Sequence, residues 1–304
     1  MAQIRANGIA IEYDELGPKD GTPLLFINGF GSQMTSWPDE FRQGLAAAGL
    51  RIIRFDNRDV GLSQKWDGIV PDVRAALDAV RAGKKPDVPY VLNDMAADAA
   101  GLLDALGIDS AHISGCSMGG MIAQLVALNH PEKTRSLISI FSTTSDPSLP
   151  PSSPEALAAL TTPAPSTDRD AVIAHSLKGR RSYASTAWPF DEARLSKLIG
   201  ASYDRMFYPQ GSARQYAAIL ASPPRTERLK SLKVPTLVLH GSADTLIRPE
   251  GGRHTAQVIP GAEYHEIEGW GHDMPLGAIP VVHGFTLPFI ERVEAARKRD
   301  VAAE

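Results

Sequence analysis

Residues 111–120 read Ala111-His112-Ile113-Ser114-Gly115-Cys116-Ser117-Met118-Gly119-Gly120, and the fold turns on this stretch. Ala111–Ser114 reads as a short strand. Met118–Asn129 has the length and apolar content of a helix, ended before Pro131. Between them, Gly-x-Ser-x-Gly puts a serine on a sharp strand-to-helix turn with a strained backbone and an exposed hydroxyl. Glycines two before and two after the serine remove the Cβ atoms that would collide there. Ser117 is therefore the candidate nucleophile. The competing account is a glycine-rich helix start that packs tightly or binds an anion. It explains the glycines but none of the patterns that follow.

Outward from this turn, strands and helices alternate. Ile4–Ala6 and Ile9–Glu15 flank Asn7-Gly8, the commonest two-residue hairpin turn. Pro23–Ile27 and Arg51–Phe55 are continuous apolar runs. Trp37, Phe41, Leu45 and Ala48 lie between them at helical spacing, stopping at Gly49. A second helix is predicted over Asn93–Leu106. Further strands are predicted at Ser136–Phe141, Pro235–His240 and Ala262–Ile267, and another helix begins at Pro249. The C-terminal stretch Leu276–Lys298 reads as helix, with Pro280 and Pro288 expected to kink or interrupt it. Short strands without alternation, separated by helices, predict an α/β, doubly wound, mostly parallel sheet.

Pro71–Pro89 adds a helix-like stretch to one connection. Residues 145–230 are longer and carry no strand pattern. They open with prolines at 147, 150, 151, 154, 163 and 165, which predicts an irregular, extended start. Helical patterns follow at Arg169–Arg181, Asp191–Arg205 and Ala213–Leu220. This organisation predicts one core domain, 1–144 and 231–304, with a helical cap at 145–230 over the carboxyl edge of the sheet.

The chain of 304 residues has 31 Lys and Arg against 35 Asp and Glu, a net charge of -4. No basic face for nucleic acid is expected. Cys116 is the single cysteine, which excludes an intrachain disulfide and a cysteine metal cluster. No H-E-x-x-H, EF-hand loop or strand-following G-x-G-x-x-G is present, so neither a metal nor a cofactor is expected. The N-terminus shows no signal-like apolar run, and no segment approaches the roughly 18 apolar residues of a membrane helix. A cytoplasmic protein without a membrane partner is expected. Glycine (26) and proline (23) are more frequent than usual. The glycines concentrate at 29 and 31, 115, 119 and 120, 241, 269 and 271.

These motifs together resemble the α/β-hydrolase family, over nearly the whole chain outside 145–230. Asn28-Gly29-Phe30-Gly31 resembles its His-Gly oxyanion loop, with Asn28 where histidine is usual. Asp56-Asn-Arg58-Asp59-Val-Gly61-Leu-Ser63 resembles its Asp-x-Arg-Gly-x-Gly-x-Ser turn, with Asp59 where glycine is usual. His240-Gly-Ser-Ala-Asp244 and Gly269-Trp-Gly-His272 resemble the loops that carry the acid and the histidine. Trp37–Phe41, Phe55–Asp59 and Ser117-Met-Gly look most like the bacterial aclacinomycin methylesterase-type subgroup.

The family order of serine, acid and histidine selects Ser117, Asp244 and His272. Asp146, after the strand ending at Phe141, is the rival acid. Of the other histidines, His240 ends a strand beside the acid loop, where a packed, hydrogen-bonded role is expected. The resemblance implies an oxyanion hole from the backbone N–H groups of Phe30 and Met118. Trp188, Phe207 and Trp270 are candidate pocket residues, Cys116 is expected to point into the core, and the Asp56/Arg58 turn is expected to hold itself by its own ion pair. The activity implied is cofactor-free hydrolysis of a small to medium hydrophobic ester through an acyl-enzyme. Perhydrolase or haloperoxidase, enol-lactonase and C–C hydrolase chemistry use the same triad. A ligand receptor on the same fold is the alternative outside enzymes.

Overall fold

The computed structural model describes residues 1–303, without the side chains of 300–303. It opens with a hairpin of β1 (Ala2–Ala6) and β2 (Ile9–Leu16). Asn7 and Gly8 both take positive φ, 49° and 78°, as a twist-compatible two-residue turn requires. The chain then runs through β3 (Thr22–Ile27), α1 (Asp39–Ala47), β4 (Leu50–Phe55), α2 (Val73–Arg81), α3 (Leu92–Ala105), β5 (Ala111–Cys116), α4 (Met118–Asn129) and β6 (Thr134–Ile140). After an insert, β7 (Thr236–Gly241), α10 (Pro249–Val258), β8 (Glu263–Ile267) and α11 (Ile279–Ala303) complete the core.

The eight strands form one sheet in the order β1-β2-β4-β3-β5-β6-β7-β8. β2 is antiparallel to both neighbours, and the other pairings are parallel. This is the doubly wound sheet predicted from the alternation. Successive residues of each strand point to opposite faces, so both faces are apolar. Leu25, Ile27 and Ile53 pack with Leu92, Met95, Ile122 and Val126 of α3 and α4. Leu24, Phe26 and Ile52 pack with Phe41 and Leu45 of α1 and with Val282 and Ile290 of α11. Each such fully buried side chain contributes about 1.5–3 kcal/mol.

The insert between β6 and β7 is helical: α5 (Pro154–Thr161), α6 (Arg169–Arg181), α7 (Glu192–Arg205), α8 (Gln210–Ala221) and the short α9 (Thr226–Leu229). The expected irregular opening is only partly found, because α5 forms within it. Pro154 sits in the first turn, where its missing N–H costs nothing, and the Ser153 hydroxyl caps the helix by accepting from the Ala156 amide at 3.1 Å.

A second expectation also fails. α11 runs through Pro288 without interruption. Pro280 lies in its first turn. The carbonyl facing the Pro288 ring belongs to Gly284, a residue with open space around its Cβ position. Burial of Phe289, Ile290 and Val293 on the sheet holds the helix beyond the proline.

The turn after β4 is held differently from its expected internal ion pair. Arg58 pairs with Asp98 of α3 at 2.6 and 2.7 Å. Asp56 pairs with Arg205 of α7 at 2.7 Å. Asp59, at φ 67°, is fully buried and takes a two-pronged contact from Arg214 of α8 at 2.8 and 2.9 Å, plus the Tyr90 hydroxyl at 2.6 Å. The departure from glycine at this position thus serves to tie core to insert. Among the described residues no helix is long and apolar enough to cross a membrane.

Candidate active site

Ser117 joins β5 to α4 with φ 55° and ψ -123°. Such a backbone costs a non-glycine residue of order 1–3 kcal/mol and persists only where its surroundings impose it. Here they do. The Ser117 N–H donates to Ile140 O at 3.0 Å, and the Ser117 carbonyl accepts from Gly120 N–H at 2.9 Å and from the Ser142 hydroxyl at 2.7 Å. The flanking glycines are needed for the close approach. A Cβ on Gly115 would lie 2.0 Å from Gly119 O, and one on Gly119 would lie 2.1 Å from Ile27 O. The Ser117 hydroxyl has no hydrogen-bond partner among the described residues and faces a cavity of about 560 Å³.

The loop after β3 lies against this turn. A Cβ on Gly29 would be 3.3 Å from the Ser117 Cβ. Gly31, at φ 62°, donates its N–H to Gln215 Oε1 of α8 at 2.9 Å. The amides of Phe30 and Met118 have no acceptor among the described residues. Met118 opens α4, so its amide also carries the positive end of the helix. Asn28 is fully buried and donates to Phe55 O at 3.4 Å, which makes it part of the loop framework.

Asp244 follows β7. Its Oδ1 accepts from the amides of Leu246 and Ile247, both at 2.9 Å, and its Oδ2 accepts from His272 Nδ1 at 2.7 Å. Burial pushes this carboxyl up, but His272 and His240 outweigh it and hold it at about 2. With Nδ1–H committed to Asp244, Nε2 of His272 is left as the acceptor nitrogen. His272 and Ser117 line the same cavity, with Gly29, Phe30, Phe141 and Trp188. Asp146 is elsewhere, accepting from the hydroxyls of Ser148 and Thr226. Asp273, next to His272, is occupied by Ser185.

The insert contributes to this loop too. Tyr183 O accepts the backbone N–H of His272 at 2.7 Å, and the Ser185 hydroxyl accepts that of Gly271 at 3.0 Å. Gly271 is required there, since a Cβ would lie 2.5 Å from the backbone of Ala184 and Ser185. His240 is fully buried, donating from Nε2 to Ile247 O at 2.8 Å with Asp244 Oδ2 3.4 Å away.

Of the three candidate pocket residues, Trp188 lines the main cavity and Phe207 a second one of about 260 Å³. Trp270 lines neither. It is fully buried against Phe141, its ring N–H bonded to Asp273 O at 2.7 Å, so it supports the histidine loop from beneath. Cys116 packs in the core beneath the turn, and burial pushes its thiol up to about 12. Sequence reasoning missed Gln215 and Ser185, and read Tyr183 only as one of the insert's aromatics, not as a backbone partner of His272. They act through backbone contacts across the fold, for which no local signal exists.

A family model described as alpha/beta hydrolase fold matches residues 22–277. Rhodomycin D methylesterase DnrP of Streptomyces peucetius is 30% identical over 281 residues, covering 86% of this chain and 88% of its own. Rhodomycin D methylesterase DauP of Streptomyces sp. (strain C5) is 28% identical over 295 residues, covering 90% and 92%. The enol-lactonase of Burkholderia xenovorans LB400 superposes with a TM-score of 0.69 at 22% identity, over 95% of this chain and 98% of that one.

Proposed function

The chain belongs to the α/β-hydrolase fold family, and on that premise we propose that it hydrolyses carboxylic esters, with Ser117 as nucleophile, His272 as proton shuttle and Asp244 as the carboxylate that orients it. The observation that carries this reading is the 2.7 Å bond from His272 Nδ1 to Asp244, with the strained, unpartnered Ser117 hydroxyl on the same cavity. His272 Nε2 takes the hydroxyl proton as Ser117 Oγ attacks the ester carbonyl. The oxyanion that forms is received by the amides of Phe30 and Met118. Collapse breaks the ester C–O bond, and the imidazolium returns its proton to the departing alcohol. Water then attacks the acyl-serine by the same route, releasing the acid. Asp244 holds the productive tautomer and stabilises the imidazolium without itself being protonated.

Ser117 Oγ and His272 Nε2 share no hydrogen bond at present, which fits a contact that tightens around substrate. In this reading residues 145–230 are a cap that covers the cavity and excludes water. The two methylesterase relatives favour an ester as the target, and a lactone is an ester the same steps would open. Hydrolysis of short p-nitrophenyl esters, abolished in Ser117→Ala, is the direct test. An unchanged rate in that variant would remove Ser117 from the chemistry.

A further inference from the structure

The cavity of about 260 Å³ lies beyond the oxyanion loop and shares Gly31, Ser32, Ser36, Ser176, Arg180 and Leu198 with the main cavity. The two cavities adjoin across these six residues. No aspartate or glutamate lines the second chamber, and Arg180 is the charged residue on its wall. Ser36, Ser176, Ser202 and Ser212 line it, and none of their hydroxyls has a hydrogen-bond partner among the described residues. Phe207, stacked on Tyr203 at 4.6 Å, supplies an apolar floor.

Arg180 differs from the arginines around it. Arg181 is engaged by Glu192 and lies over Phe190. Arg194 pairs with Glu40 at 3.3 Å. Arg205 and Arg214 hold Asp56 and Asp59. The Arg180 guanidinium makes no hydrogen bond or ion pair among the described residues, although the residue is only half-exposed. Its place in the last turn of α6 suits the helix dipole, but Lys178 and Arg181 already supply that. Asp273 of the first chamber stays beyond ion-pair reach and is taken by Ser185. Asp191 and Asp273 line the first chamber; on the second chamber's wall a cation and several spare hydroxyl donors, with no acid among them, favour an anion with oxygen acceptors.

We propose that the second chamber binds a carboxylate carried by the substrate at a distance from the scissile ester, with Arg180 as its cation. This rests on the esterase reading and narrows its substrate class to esters that bear a free acid.

The test compares p-nitrophenyl monoesters of the straight-chain dicarboxylic acids, succinic through suberic, with p-nitrophenyl esters of the neutral acids of equal length. Acetate esters of ω-hydroxy acids and of the matching alcohols cover the alcohol side. At the chain length that fits, Arg180→Gln is expected to lower kcat/KM for the carboxylate ester by roughly 10- to 100-fold, the range of a charge-assisted hydrogen bond. The neutral ester should change less than about two-fold, and Arg180→Lys should restore part of the loss. Equal effects on charged and neutral esters in both series would overturn the proposal. Titration of Ser117→Ala with the same esters, with and without Arg180→Gln, reads binding without turnover. Wild-type protein that hydrolyses neither series would sink the esterase reading alone. The chamber would still stand if carboxylate binding depends on Arg180, and fall if it does not.

Discussion

Asp244 Oδ2 lies 2.7 Å from His272 Nδ1, across two loops 28 residues apart in the chain. Both loops leave the carboxyl ends of adjacent parallel strands, β7 and β8. The parallel pairing brings the acid and the histidine together, and the two amide bonds to Asp244 Oδ1 leave Oδ2 aimed at the imidazole.

Asp244→Asn should therefore lower kcat by about 10⁴-fold while leaving the fold intact, because the amide no longer selects the Nδ1–H tautomer. Asp146→Asn should leave the rate within about two-fold, because Asp146 bonds Ser148 and Thr226 and makes no contact with His272. Steady-state hydrolysis of a p-nitrophenyl ester by both variants decides between the two acids.

The same carboxyl sets a pH dependence of stability. Its folded value of about 2 is below the ordinary aspartate value of about 3.9. A depressed acid contributes stability that is complete above the unfolded value and is lost as pH falls through the folded one. The contribution should disappear between about pH 4 and pH 2. Urea unfolding across that window should show a shallower acid decline in Asp244→Asn than in the wild type.

The buried pair Asp59–Arg214 gives a prediction about the join between core and insert. Arg214→Leu strands a fully buried carboxylate and should cost about 3–5 kcal/mol in urea unfolding. Adding Asp59→Gly removes the orphaned charge and suits the positive φ of 67° at that position. The double variant should recover most of the loss.

How much of this was legible depended on range along the chain. The Ser117 turn is local: strand, five residues and helix are contiguous, and the glycine requirement is visible in the letters. The Asp244 and His272 loops were legible as motifs after strands. Asp59 stood out as a departure from glycine, but its partner lies 155 residues away, and nothing local marks Arg214. Trp270 was expected in the pocket but is buried against Phe141, with its ring N–H bonded to Asp273 O, and no local feature of the sequence marks which way its side chain turns. α5 and the passage of α11 through Pro288 escaped a reading based on proline alone, since a cap in one case and core burial in the other offset the missing N–H.

The central claim is that Ser117 forms a covalent acyl intermediate. Incubation with a fluorophosphonate followed by peptide mass mapping tests it most directly, because the reagent reports the activated nucleophile itself. The expected result is a single stoichiometric adduct on Ser117, with esterase activity lost in proportion and no labelling in His272→Ala. An adduct on another residue, or full activity retained by protein labelled at Ser117, would contradict it.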